Sequence, residues 1–375
     1  MDSDMRLNGR RLGTLFFLVV SIAGCSSNSG TPVAPINPGG ESPSATPTAS
    51  AKPSPTATPT VGPSSAPTAT PTPSPTPTVA PATVYYVDDA GTNQLTAYPF
   101  GATGDVAPAR TVSGSNTGLA FPRRMLTDAQ GDIIVANAQS GTVTIFAPAP
   151  NGNQMPARTL TNAVLAGVDG LAVDAAGNLY AASCAYCYLG NQNFDAISVF
   201  APGVNGSTAP LRTIEGTNTG LSDPTDVGID AGGTAHVTNY GANTITSYAA
   251  GTNGNVAPTA TLGGASTAIA NPECVAFDSS GNEYVCDSTT NAITVYPPGA
   301  SGNTAPIRTL VGTATLLNDP TSIVFDTTGR MYVANPGGNT ITVYAANAAN
   351  NTAPIFSIGG PNTNLSGAIA LTLGS

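Results

Sequence analysis

The chain has 375 residues with 42 Gly, 33 Pro, no Trp, only 9% charged residues and a formal net charge of −10. Positions 84–375 hold seven Arg, no Lys and 18 acidic residues, so no basic stripe exists to neutralise phosphates, and a nucleic-acid partner is excluded. The acidic surface also argues against electrostatic docking on anionic lipid.

The N-terminus reads as a targeting segment. Arg6, Arg10 and Arg11 precede an apolar run from Leu12 to Gly24. That run is too short for a permanent membrane helix and right for a signal-peptide core. It ends in Ile22-Ala23-Gly24-Cys25, followed by Ser26 and Ser27. Residues 1–24 are therefore expected to be a signal peptide. From Gly30 to Thr83 the chain is almost wholly Pro, Thr, Ser and Ala, with too few large apolar residues to bury a core. Residues 25–83 are expected to form a disordered stalk. If polyproline II prevails, the 43 residues from Glu41 to Thr83 reach about 130 Å.

From residue 84 to the end the sequence repeats. Strand-like runs end in an aromatic at Tyr98, Phe146, Phe200, Tyr248, Tyr296 and Tyr344, at steps of 48, 54, 48, 48 and 48 residues. A fixed period in this range, built only of short strands, means a β-propeller. One unit is clear at 319–358. Strands are expected at 320–326, 330–335, 340–344 and 353–358, with turns at Asp326–Gly329 and Pro336–Asn339. The Asp-x-x-Gly turn recurs at Asp128, Asp174, Asp230 and Asp278, and an outer-strand motif such as Ala305-Pro-Ile-Arg-Thr occurs six times. The domain opens at Val84-Tyr-Tyr-Val, which matches a second strand. It closes at Leu365–Leu371, which matches a first strand. The expected fold is an all-β, six-bladed propeller of four-stranded blades, with the C-terminal strand completing the N-terminal blade.

Counting back from each turn places Arg123/Arg124, Asp169/Gly170, Thr225/Asp226, Glu273/Cys274, Thr321/Ser322 and Gly367/Ala368 at the channel mouth on one face, here called the top. The candidate ligand-binding residues are Arg123, Arg124, Asp169, Asp226, Glu273, Thr321 and Ser322. Asp169, Asp226 and Glu273 come from consecutive blades and are weak candidates to hold Ca²⁺ or Mg²⁺. A solvated rim of salt bridges is the plainer reading. His236, the only His, stands where other blades place Tyr or Ile. It reads as a packing residue, so no catalytic residue is assigned.

Four cysteines besides Cys25 suit two disulfides in an exported protein. A hairpin centred on Ser280 sets Cys274 opposite Cys286. Cys184 and Cys187 form a C-x-x-C in the long blade-three insertion, Cys184–Asp195, and are expected to form a local bridge. The alternative is a redox or metal role.

Segments such as Gly329-Arg-Met-Tyr-Val-Ala-Asn-Pro-Gly-Gly-Asn-Thr-Ile-Thr-Val-Tyr344 resemble NHL-repeat propellers and, more loosely, the SMP-30/gluconolactonase type. The usual charged residue near the Asn-x-Ile step is absent. The resemblance covers 84–375 and implies a fold shared by binding proteins, lyases and signalling modules. Ile22–Cys25 resembles a bacterial lipobox, which implies lipidation of Cys25. Ser26 then implies delivery to an outer membrane or cell surface. The expected function is non-catalytic binding of a protein, glycan or small molecule through the top face. A metal-dependent lactonase-like or lyase-like enzyme and a structural envelope protein are the alternatives.

Overall fold

The computed structural model describes residues 92–184 and 195–374 in full and residues 83–88 by their backbone. They lie in the compact unit Thr78–Ser375. The expected lipobox, residues 25–82 of the expected stalk and Cys187 lie outside the described residues. Among the described residues no helix is long and apolar enough to cross a membrane.

The domain is an all-β propeller of four-stranded antiparallel blades. It opens with β1 (Thr83–Asp88), β2 (Gln94–Pro99) and β3 (Arg110–Val112). The next blade is β4 (Pro122–Thr127), β5 (Ile133–Asn137), β6 (Thr142–Phe146) and β7 (Arg158–Leu160). It is followed by β8 (Val168–Val173), β9 (Leu179–Ser183), β10 (Ala196–Phe200) and β11 (Arg212–Glu215). Then come β12 (Pro224–Ile229), β13 (Ala235–Asn239), β14 (Thr244–Tyr248) and β15 (Ala260–Gly263). Next are β16 (Pro272–Phe277), β17 (Glu283–Asp287), β18 (Ala292–Tyr296) and β19 (Arg308–Val311). The last blade is β20 (Ser322–Phe325), β21 (Met331–Asn335), β22 (Thr340–Tyr344) and β23 (Phe356–Gly359), and β24 (Ala368–Gly374) follows.

Five blades are thus continuous in sequence. The remaining strands form a composite sheet of order β24-β1-β2-β3, in which Val84 pairs with Leu373 and Tyr86 with Leu371. The expected strand bounds also shift. Pro354 precedes β23 instead of lying within it, because pairing starts only where Ile355 N–H donates to Val343 O at 2.7 Å.

The local chemistry explains the repeat. Asp128 Oδ1 accepts the N–H groups of Gln130 and Asp132, both at 2.9 Å, and Gly131 takes φ +81° to complete the turn. Second strands are buried on both faces along their whole length, as at Ile133–Asn137, because each is covered by a blade on either side. Their terminal Asn is a tie as much as a turn residue. Asn239 Oδ1 accepts Ser222 N–H at 3.0 Å, and its Nδ2 donates to Thr246 Oγ1 at 3.0 Å. The aromatics that mark the period end the third strands. Tyr248 and Tyr344 are buried and donate to Thr219 O and Thr315 O, both at 2.5 Å. The loop after each third strand also reaches the outer strand of the preceding blade. Gly152 N–H donates to Thr111 O, Gly206 to Thr159, Gly254 to Thr213 and Gly302 to Thr261, each at 2.7 Å.

Candidate functional site

Six of the expected mouth residues converge. The inner strands touch in the order β4, β8, β12, β16, β20, β24 and back to β4. Arg123, Arg124, Asp169, Thr225, Glu273 and Thr321 line one cavity with Ile369. Ser322 lies behind it, with Oγ accepting Leu371 N–H at 3.4 Å. The cavity is only about 10 Å³, room for a single water.

Arginines fill the rest. Arg123 Nε donates to Asp169 Oδ1 at 2.8 Å, and its Nη2 lies 3.9 Å from Glu273. Arg124 crosses the axis. Its Nε donates to Asp226 Oδ1 at 2.9 Å, its Nη2 pairs with Asp226 Oδ2, and its Nη1 donates to Thr321 O at 3.3 Å. One side chain therefore ties the blades that begin with β4, β12 and β20. Burial lowers the Arg124 pKa to about 10, opposed by the charge of Asp169, so it stays cationic at neutral pH. Thr225 Oγ1 donates to Pro272 O at 2.8 Å and Thr321 Oγ1 to Ile369 O at 2.5 Å. Both hydroxyls bind neighbouring inner strands together.

This arrangement does not suit a divalent cation at Asp169, Asp226 and Glu273. Both Asp226 oxygens are engaged, the second also by Val275 N–H at 3.1 Å. A metal would share a few ångströms with two guanidinium charges. Among the described residues these three carboxylates also do not gather within 4.8 Å of one another. Cys184, Asp195 and Asp223 do gather within that distance. Cys184 is disulfide-bonded, however, so its sulfur is not a thiolate ligand. Its expected partner Cys187 lies outside the described residues. The Cys274–Cys286 disulfide is formed across β16 and β17, with Cα atoms 5.0 Å apart.

His236 packs between blades, edge-on to Phe277 at 4.9 Å, with Ser247 Oγ 3.3 Å from Nδ1. Asp230 lies 3.5 Å from Nε2, and the buried Glu283 lies 3.4 Å from Nδ1. Burial disfavours the imidazolium, but the hydrogen bond and charge of Glu283, joined by Asp230, outweigh it and raise the pKa. The stabilisation from protonated His236 is therefore full below the unfolded value of about 6.5 and is lost as pH rises through the higher folded value. The melting temperature is expected to fall across that window, by about 2–4 °C per kcal/mol for a domain of this class. His236→Gln should flatten the profile, and identical profiles for variant and parent would refute the assignment.

A second concavity lies off the axis on the top face. Leu316, Leu317, Asn318, Gly338, Thr340, Thr342 and Ser357 line a groove of about 370 Å³. None of these residues belongs to the channel mouth expected from the repeat.

No protein-family model and no curated protein matches the sequence. Solved structures do match the fold. A Bacteroides caccae protein of unknown function aligns over 79% of this chain and 99% of its own, with 11% identity and a TM-score of 0.58. A chain of a nidogen/laminin complex aligns over 78% and 98%, with 12% identity and a TM-score of 0.57. The Pseudomonas aeruginosa periplasmic gluconolactonase PpgL aligns over 78% and 98%, with 12% identity and a TM-score of 0.55. At these identities the likeness is one of fold alone. It carries no activity to this chain.

Proposed function

We propose that this chain is a lipid-anchored, extracytoplasmic propeller that binds a partner through its top face and does not catalyse a reaction. The observation that carries this is the sealed axis. Arg123 and Arg124 occupy the carboxylates of the mouth and leave about 10 Å³, too little for a substrate. Recognition then falls to the rim of the top face. Cys25, directly after the apolar run, supplies the anchor, and the Pro/Thr stalk of 25–83 supplies the reach.

The same reading takes the composite sheet as a sixth blade that closes the ring. Two contacts at different radii support it. At the inner radius β24 pairs with β1. At the outer radius Gly104 N–H donates to Ser357 O at 2.7 Å, and Asp105 accepts Asn362 N–H at 2.7 Å.

The test is an elemental analysis of the full chain with and without chelator. No stoichiometric divalent ion is expected, and the melting temperature should move by less than about 1 °C, since a metal site of useful affinity would contribute several kcal/mol. One Ca²⁺ or Mg²⁺ per chain, with a melting point that falls on chelation, would overturn the reading in favour of a metal-dependent enzyme.

A further inference from the structure

The groove beside Leu316 breaks the repeat at both of its walls. Five of the six lead-in loops have a left-handed residue at this point: Gly118, Gly220, Ala268, Leu316 and Asn364, with φ between +58° and +72°. Only one of them is bulky. A large side chain in this region costs about 1–3 kcal/mol. Leu316 does not recover that cost by burial, because it is 54% exposed. The facing wall is the turn between β21 and β22. Its third residue is Ser140, Ala242 or Thr290 in other blades and Gly338 here, so this turn withdraws as the leucine advances. Its neighbour Gly337 packs close to Asn318, whose Oδ1 would lie 2.6 Å from an added Cβ.

The floor is polar and uncharged. Thr340 and Thr342 lie on one face of β22, two residues apart, and Ser357 of β23 stands directly opposite Thr342. Thr342 Oγ1 accepts Asn335 Nδ2 at 2.9 Å. Among the described residues, the Asn318 amide and the Thr340 and Ser357 hydroxyls have no protein partner. The groove thus offers an apolar wall (Leu316 and Leu317), hydroxyls and an amide able to donate and accept, and no ionisable lining residue. A peptide cannot enter as an added strand. The outer edge of β23 is already taken where Gly104 donates to Ser357 O and Gly359 N–H donates to Gly104 O at 3.2 Å.

We propose that this groove is a binding site for a neutral saccharide of one or two rings, whose C–H face packs on Leu316 and whose hydroxyls pair with Asn318, Thr340 and Ser357. It rests on the top-face reading above and narrows its ligand. The volume lies within the range of small-ligand pockets. The open geometry leaves water in competition for every polar contact, so affinities near millimolar are expected.

The experiment is an NMR titration of the full mature chain with cellobiose, maltose and chitobiose, and with sialyllactose as the charged control, each to about 10 mM, tenfold above a millimolar Kd. A neutral disaccharide is expected to shift the resonances of Leu316, Thr340 and Ser357. Leu316→Gly should weaken that binding about tenfold, the equivalent of one lost buried leucine contact, while leaving the melting temperature equal or higher because it relieves the left-handed strain. Thr340→Val, which keeps the shape and removes one hydroxyl, should weaken it several-fold. The site is overturned if no neutral disaccharide binds, if binding survives Leu316→Gly unchanged, or if sialyllactose is preferred. Binding lost in Arg123→Ala but retained in Leu316→Gly also overturns the groove and leaves top-face recognition standing. A stoichiometric divalent ion would fail the parent reading instead.

Discussion

Replacing Arg124 with methionine is expected to destabilise the propeller by about 3–5 kcal/mol, the usual cost of breaking a buried ion pair from one side. For a domain of this size that is a fall in melting temperature of about 10 °C. The loss exceeds the value of the pair itself, because Asp226 would stay buried with only Val275 N–H as partner. The variant also removes the hydrogen bond to Thr321 O, so three blades lose their common tie. Arg124→Met combined with Asp226→Asn should recover much of the loss, since the amide oxygen still accepts Val275 N–H and no lone charge remains. Chemical denaturation of the two single variants and the double variant gives the coupling energy, expected at about 1–3 kcal/mol. A single variant within about 0.5 kcal/mol of the parent, or strictly additive effects, would show that the axial pairs do not hold the ring.

Deleting residues 365–375 is expected to do more and abolish cooperative folding. The segment carries β24, whose Ala368, Ile369, Ala370 and Leu371 are buried. Burial of the Ile and Leu alone is worth about 1.5–3 kcal/mol each. Its removal would leave an edge of β1 unpaired and take away the floor against which Thr321 Oγ1 donates to Ile369 O. Total stability of a domain is only about 5–15 kcal/mol, so the loss reaches the global scale. The outer contacts at Gly104–Ser357 and Asp105–Asn362 survive the deletion, but they are polar and cover no apolar surface comparable to that of β24. Thermal melting of the truncated chain followed by far-ultraviolet circular dichroism tests this. A sharp transition at the parent temperature would refute closure by the C-terminal strand.

Much of this architecture is legible without coordinates. The aromatic period, the Asp-x-x-Gly turns and the second-strand Asn residues each report a local requirement that recurs in every blade: a hydroxyl or ring to fill a corner, a side-chain oxygen to close a turn, an amide to tie a lead-in loop. The pairing of Cys274 with Cys286 follows from the same hairpin arithmetic. Repetition also identified six of the residues that reach the mouth, but placed Gly367 and Ala368 where Ile369 stands. The Leu316 groove was legible in principle, since a leucine stands where four of the other blades carry Gly, Ala or Asn. The charge pattern does not point to it, because the groove is built from uncharged residues at the rim.

What coordinates alone decided is where charge goes once the ring is closed. Arg124 meets Asp226 across 102 positions and Thr321 across 197, separations that match no neighbour rule within a blade. Three carboxylates that look like oxygen ligands in the sequence become acceptors for two guanidiniums. His236, in sequence a packing residue, gains Glu283 from the next blade and so a pH response. The physical reason is common to all three. Local sequence dictates strands and turns through short-range hydrogen bonding and alternation, whereas partners across a central axis are chosen by side-chain reach in a low-dielectric space that exists only after the blades have assembled.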